Sequence, residues 1–196
     1  MEFLLALAAS TAVVFIAEMG DKTQLVAMSL ASRYRAATVL LGITAATLLV
    51  HGLSVLIAEV VGLALPTDWI TLVAGVAFVG FGVWTLLGDE LSDKDEERAA
   101  SRRIRSGLVT VAVVFFTAEL GDKTMLATIT VGTNYEWFPV WIGSTVGMVA
   151  ADALAIGLAF ILGKKVPERA MQIGAALLFF LAGGAMVFEG VRAVAG

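Results

Sequence analysis

Two six-residue segments of this chain combine residue types that can hold a cation: Glu18-Met19-Gly20-Asp21-Lys22-Thr23 and Glu119-Leu120-Gly121-Asp122-Lys123-Thr124. On a helix, positions i and i+3 share a face, so each segment presents two carboxylates together. The glycine between them allows the backbone to kink or unwind there, freeing carbonyl oxygens as further ligands. Thr23 and Thr124 each add a hydroxyl. Sites dominated by carboxylate oxygen suit Ca²⁺, Mn²⁺ or Mg²⁺, whereas Zn²⁺ and Cu⁺ favour His and Cys. With one His and no Cys in the chain, the chemistry expected is reversible binding of a hard divalent cation. The missing cysteine also excludes disulfides and leaves the redox compartment open.

The elements that must position these groups are membrane spans. The chain has 196 residues, is 59% hydrophobic and only 15% charged, with a mean hydropathy of +0.93. A soluble domain carries about 25% charged residues and helices with one polar face. Here the apolar runs are long and apolar all round, as a bilayer span of about 20 residues requires. Six spans are expected, over Phe3–Ser32, Ala37–Leu63, Trp69–Leu87, Gly107–Val131, Phe138–Leu162 and Ala170–Val191. The fold class expected is therefore an all-α polytopic membrane protein. Without a basic leader before it, the first run reads as a retained span. A net charge of −4 and no broad basic surface argue against a nucleic-acid partner.

Basic residues set the orientation. Ten of the 13 lysines and arginines fall in the first, third and fifth connections: Arg33 and Arg35; Lys94, Arg98, Arg102, Arg103 and Arg105; Lys164, Lys165 and Arg169. Among the termini and the other connections there is only Arg192. By the positive-inside rule, both termini face outside and the central linker is cytoplasmic.

The two motifs stand 101 positions apart, and the same ungapped shift pairs Phe15 with Phe116, Tyr34 with Tyr135, Gly42 with Gly143, Thr44 with Thr145, Pro66 with Pro167 and Gly82 with Gly183. Such matches indicate a duplication: a first three-helix repeat over 1–88, a charged linker over 89–105, and a second repeat over 106–196. An odd number of spans per repeat turns the second upside down, and inverted repeats with a midplane site are a transporter design.

Each motif falls mid-span, with about 15 residues, roughly 22 Å of helix, between Glu18 and either flank. Placing Asp or Lys at that depth costs about 2.5–3.5 kcal/mol each, so the groups must be compensated. Four carboxylates and two ammonium groups sum to −2, which one divalent cation neutralises. Two protons would do the same for the empty protein, which describes proton antiport by competition. Glu18 and Glu119 are the preferred proton-carrying ligands, and Gly20 and Gly121 the hinges. Lys22 and Lys123 turn away to pair with Asp21 and Asp122, or cap freed carbonyls. Structural ion pairs between helices are the plainer alternative, disfavoured because intramembrane charges are functional by default.

Both motifs match in full the signature E-x-G-D-[KR]-[TS], and on these residues the sequence resembles the GDT family of cation:proton antiporters in the lysine-exporter superfamily. The resemblance covers the whole chain, and two matched copies make it specific. It implies that Glu18, Asp21, Glu119 and Asp122 bind a transported Mn²⁺ or Ca²⁺, with no permanent cofactor. It also implies a secondary transporter rather than an enzyme, in the inner (plasma) membrane, with Mn²⁺ export the foremost role. An exporter of a basic amino acid is the nearest rival, although inward lysines would repel such a substrate. A divalent-cation channel is another. Gly20-Asp21 resembles part of an intramembrane protease motif, but Glu18 stands where its first glycine would be.

Other residues read less sharply. His51 and Asp152 are equivalent under the shift; each is either a proton relay or accessory ligand, or a hydrogen-bonding group at a helix interface. Gly143 and Gly147 suggest close helix packing. Trp69, Trp84, Trp137 and Trp141 suit an interfacial belt. Homo-oligomerisation is left open.

Overall fold

The computed structural model describes residues 1–64, 67–87, 106–162 and 168–195, and among them all regular structure is α-helical. In chain order the helices are α1 (Glu2–Glu18), α2 (Lys22–Ala31), α3 (Ala36–Ala64), α4 (Thr67–Leu87), α5 (Gly107–Glu119), α6 (Lys123–Gly132), α7 (Trp137–Leu162) and α8 (Glu168–Ala195). The expected linker over 89–105, Pro66, Pro167, Lys164 and Lys165 lie outside the described residues.

Among the described residues four helices are long and apolar enough to cross a membrane: Ala36–Ala64, Trp69–Leu87, Trp137–Ile161 and Arg169–Ala195. Their surfaces are those of a protein solvated by lipid. On α3, Leu49, Leu53, Leu56, Val60 and Leu63 form an exposed stripe at helical spacing. Thr47, His51 and Ser54 of the same helix are fully buried. The polar groups face inward because hydrocarbon offers them no partner, while leucine is indifferent to lipid or protein.

The expected first span, Phe3–Ser32, is not one continuous helix. It breaks after Glu18, and α2 leaves α1 at 82°. If this bent pair counts as a single span, the described residues hold five. The fourth expected span, Gly107–Val131, is likewise divided into the short apolar helix α5 and the helix α6. The cause is the same in both. Gly20 has φ 74° and Gly121 has φ 81°, in the left-handed region that only glycine enters freely and that no α-helix contains. The continuous run of helix expected on either side of Glu18 therefore does not exist.

Packing is reciprocal between the halves. Helix α1 lies on α7 as α5 lies on α3, α2 touches α7 as α6 touches α3, and α4 pairs with α8. Glycines make these approaches close. A Cβ added at Gly143 would lie 2.5 Å from the Leu7 carbonyl oxygen of α1, and one at Gly147 would lie 2.5 Å from that of Thr11. At the equivalent contact, a Cβ on Gly42 would lie 3.0 Å from the Leu108 carbonyl oxygen of α5. Residue Leu108 corresponds to Leu7 under the shift of 101. The α4–α8 pair closes on Phe78, Phe81 and Phe179, with Phe78 and Phe179 edge to face at 5.7 Å.

A Cβ at Gly121 meets nothing within 4 Å, so substitution there isolates the backbone term. Gly121→Ala should lower unfolding stability in detergent by about 1–2 kcal/mol, the cost of the left-handed conformation. Gly157→Ala, helical and also open, should instead raise it by about 0.5–1 kcal/mol. Equal effects of the two substitutions in denaturant titrations would contradict this account of the break.

Candidate metal centre at two helix breaks

Each motif is folded into the same local structure. Glu18 closes α1 and Asp21 is the N-cap of α2; Glu119 closes α5 and Asp122 is the N-cap of α6. Both aspartates therefore sit at the positive end of a helix, where a carboxylate is favoured. The threonines stitch the breaks. Thr23 Oγ1 donates to Glu18 Oε1 and lies 3.0 Å from Asp21 Oδ2. Thr124 Oγ1 donates to Glu119 Oε2 at 2.6 Å. One oxygen of each glutamate is thus occupied, while Glu18 Oε2 and Glu119 Oε1 have no hydrogen-bond partner among the described residues.

The two motifs come together in one buried cluster. Glu18, Asp21, Glu119, Asp122, Lys123 and Asp152 are all at most 5% exposed. Glu18 is repelled by Glu119, Asp152 and Asp21, and Glu119 by Asp122, Asp21 and Asp152. An ion pair crosses the halves: Lys123 Nζ of the second motif lies 2.6 Å from Asp21 Oδ1 of the first. Glu18 and Asp122 also attract that ammonium. The expectation that the lysines turn away to pair within their own motifs is thus corrected for Lys123. It turns inward, because a carboxylate across the interface needs a counter-charge that neither water nor lipid supplies. Lys22 is partly buried, and both it and Asp122 are engaged as well. Among the described residues no three of His, Cys, Asp and Glu are gathered tightly enough to enclose an ion.

His51 and Asp152 are both fully buried but behave differently. Thr145 Oγ1 donates to the Trp141 carbonyl at 2.9 Å and lies 3.3 Å from His51 Nδ1. Its one proton being spent, the hydroxyl accepts, so His51 carries its hydrogen on Nδ1. This is a hydrogen bond across a helix interface, and His51 Nε2 is buried with no hydrogen-bond partner among the described residues. Asp152 has no such tie and faces the motif carboxylates. Trp141 is not simply a belt residue, since its Nε1 donates to the Leu48 carbonyl of α3 at 2.8 Å. Trp137, at the start of α7, is half exposed and packs edge to face on Phe138 and tilted on Trp141.

Two glutamines escaped the sequence reading. Gln24 Oε1 accepts from the Gly20 N–H at 2.9 Å, and its Nε2 donates to the Ala151 carbonyl at 3.1 Å. Gln172 Nε2 of α8 donates to the Gly20 carbonyl at 3.1 Å, and Arg169 joins that glutamine to the Leu86 carbonyl of α4. A freed carbonyl is present at the break, but a side chain holds it. The available signal was asymmetry: under the shift, polar Gln24 faces apolar Met125, whose Sδ accepts from the Gly121 N–H at 3.3 Å.

Broken helices that bury paired carboxylates in an apolar helical bundle define a membrane transporter of cations. The comparisons agree: the profile described as "Divalent cation/proton antiporter GDT1" matches residues 6–93 and 107–193. The chain belongs to the GDT1 family, which comprises antiporters and not enzymes. A Vibrio cholerae protein named "Putative manganese exporter" is 36% identical over 93% of this chain and 90% of its own length. The GDT1-like protein sll0615 of Synechocystis is 30% identical over 91% of this chain and 94% of its own. The chloroplastic GDT1-like protein 2 of Oryza sativa is 31% identical over 88% of this chain and 58% of its own. No solved structure matches.

The Asp21–Lys123 pair makes a testable claim. Removing one partner of a buried pair leaves an uncompensated charge and costs about 3–5 kcal/mol, whereas replacing both is far milder. Lys123→Met alone should therefore lower thermal stability in detergent sharply, and the double variant Asp21→Asn with Lys123→Met should recover most of the loss. Additive losses in this double-mutant cycle would show that the two groups do not interact.

Proposed function

We propose that this chain exports a divalent cation, Mn²⁺ first and Ca²⁺ second, in exchange for protons. Glu18, Asp21, Glu119 and Asp122 are its ligands. The observation that carries the proposal is the convergence of both motifs, from opposite halves, on a single buried cluster. Hard oxygen donors fit either ion. The name of the Vibrio cholerae relative favours Mn²⁺.

The electrostatics supply the exchange. In the metal-free protein Lys123 balances Asp21, and the free oxygens of Glu18 and Glu119 are where protons reside. A divalent cation entering the cluster displaces those protons, and the site again carries little net charge. Either loaded form can then cross the conformational barrier, while the site without protons or metal is held back by the cost of burying naked carboxylates. Thr23 and Thr124 keep each glutamate aimed across its break, and Gly20 and Gly121 are where the chain flexes.

The architecture proposed for this cycle has six spans in two inverted three-helix repeats, 1–88 and 106–196, joined by a cytoplasmic linker over 89–105. Each bent or divided pair, α1–α2 and α5–α6, counts as one span. Both termini lie outside the inner (plasma) membrane. The reciprocal packing of α1 on α7 and α5 on α3 supports the repeat relation, and the ten-to-one bias of basic residues supports the orientation. In inverted-repeat carriers such a shared site is exposed first to one side of the membrane and then to the other.

In liposomes holding the purified chain, Mn²⁺ should move against an imposed proton gradient, with protons moving oppositely. Glu18→Gln and Glu119→Gln should each reduce this flux at least a hundredfold, while the same change at Glu59, an exposed carboxylate towards the C-terminal end of α3, keeps most of it. Flux of a basic amino acid without metal flux would overturn the proposal. For orientation, Ser92→Cys should react with an impermeant thiol reagent only from the cytoplasm and Thr67→Cys only from outside; the reverse pattern would refute it.

A further inference from the structure

The two motifs match at five of their six positions, Met19 and Leu120 being the exception, and two further pairs of equivalent positions near them differ in chemistry. Where the first half has His51 the second has Asp152, and where the first has Gln24 the second has Met125. Asp152 is fully buried, and neither of its oxygens has a hydrogen-bond partner among the described residues. The charges acting on it and through it are carboxylates: Asp21, Glu18 and Glu119. A structural aspartate at such depth would hold a helix end, a backbone N–H or a basic side chain. This one leaves both oxygens open among like charges, an arrangement that a cation resolves.

Gln24 ties the backbone next to Asp152 to the first helix break. A single side-chain amide accepts from the Gly20 N–H and donates to the carbonyl of Ala151, the residue before Asp152. The first helix break and the α7 turn bearing the aspartate are thereby joined. Met125 can accept from the Gly121 N–H through sulfur, but it has no proton to donate, so it cannot make the corresponding tie to α3. His51 is meanwhile engaged with Thr145.

We propose that Asp152 is a fifth carboxylate ligand of the transported divalent cation, positioned by Gln24, so that the ion is held asymmetrically, nearer the first motif than the second. The inference rests on the ion-binding reading above. It adds a ligand from outside the motifs, on a helix of the second repeat that packs against α1 and α2 on either side of the first break. A hard divalent ion that prefers six or more oxygens gains by it. Asp152 would bridge the two halves only while the ion is bound. Gln24 acts through Asp152 and is a positioning residue.

The test uses the full chain purified in detergent and then in liposomes, with Mn²⁺ itself as probe and free Mn²⁺ read by electron paramagnetic resonance. Asp152→Asn should weaken Mn²⁺ binding at least tenfold and raise the transport KM by a similar factor. Its metal-free melting temperature should stay the same or rise, because an unpaired buried carboxylate has been removed. His51→Asn should bind within twofold of the unaltered chain. Gln24→Met should raise KM at least threefold with kcat within twofold. Binding by Asp152→Asn within twofold of the unaltered chain would overturn the fifth ligand while leaving the four motif ligands standing. Absence of Mn²⁺ and Ca²⁺ binding in the unaltered chain would overturn the ion reading and this inference together. Should Asp152→Asn not fold, Gln24→Met decides: the KM rise supports the inference, and an unchanged KM refutes it.

Discussion

Carboxylates buried in a lipid-solvated bundle must find their counter-charge inside the protein, and the central structure follows from that constraint. Glu18, Asp21, Glu119, Asp122 and Asp152 are withdrawn from solvent, with no water at that depth to share their charge. Lys123 answers for Asp21. Thr23 and Thr124 satisfy one oxygen of each glutamate. The oxygens that remain open are the capacity to bind something that arrives. Helix breaks at Gly20 and Gly121 make the cluster possible, because they bring the end of one helix and the start of the next to the same point in each half. A continuous helix would present Glu and Asp along one face; the broken one gathers them around a terminus where the helix dipole also favours the aspartate.

Duplication accounts for the economy of the design, and divergence for the differences between its two motifs. Equivalent glycines set equivalent helix approaches, Gly42 against α5 and Gly143 against α1. Equivalent threonines perform the same hydrogen bond. Against this background the unequal positions stand out: Gln24 against Met125 and Asp152 against His51. A strictly symmetric site would be the same when approached from either half. These differences give the first motif a different set of neighbours from the second, which is what a carrier needs if its two faces are to load different cargo.

Much of this was legible in the sequence. The apolar runs over α3, α4, α7 and α8 are unambiguous because lipid imposes a length and a composition together. The shift of 101 exposed the repeat, and the motif residues marked the cluster. The glycines could be flagged as places to unwind, but the sequence does not say that φ turns positive, nor that the chain leaves at 82°. That depends on whether neighbouring groups take up the freed backbone, as Gln24 and Gln172 do at Gly20. For Lys123 local spacing offers only Asp122 or a freed carbonyl as partner, whereas the ion pair it makes is with Asp21, 102 positions away. His51 and Asp152 looked alike by position and separate only when the hydroxyl of Thr145 is seen beside one of them.

The central claim is that two motifs build one site and not two. The number of Mn²⁺ ions bound per chain, measured by equilibrium dialysis on the purified protein, tests it most directly. One ion per chain, lost on neutralising either Glu18 or Glu119, is the result this account predicts. Two ions per chain, with each substitution removing one and sparing the other, would contradict it.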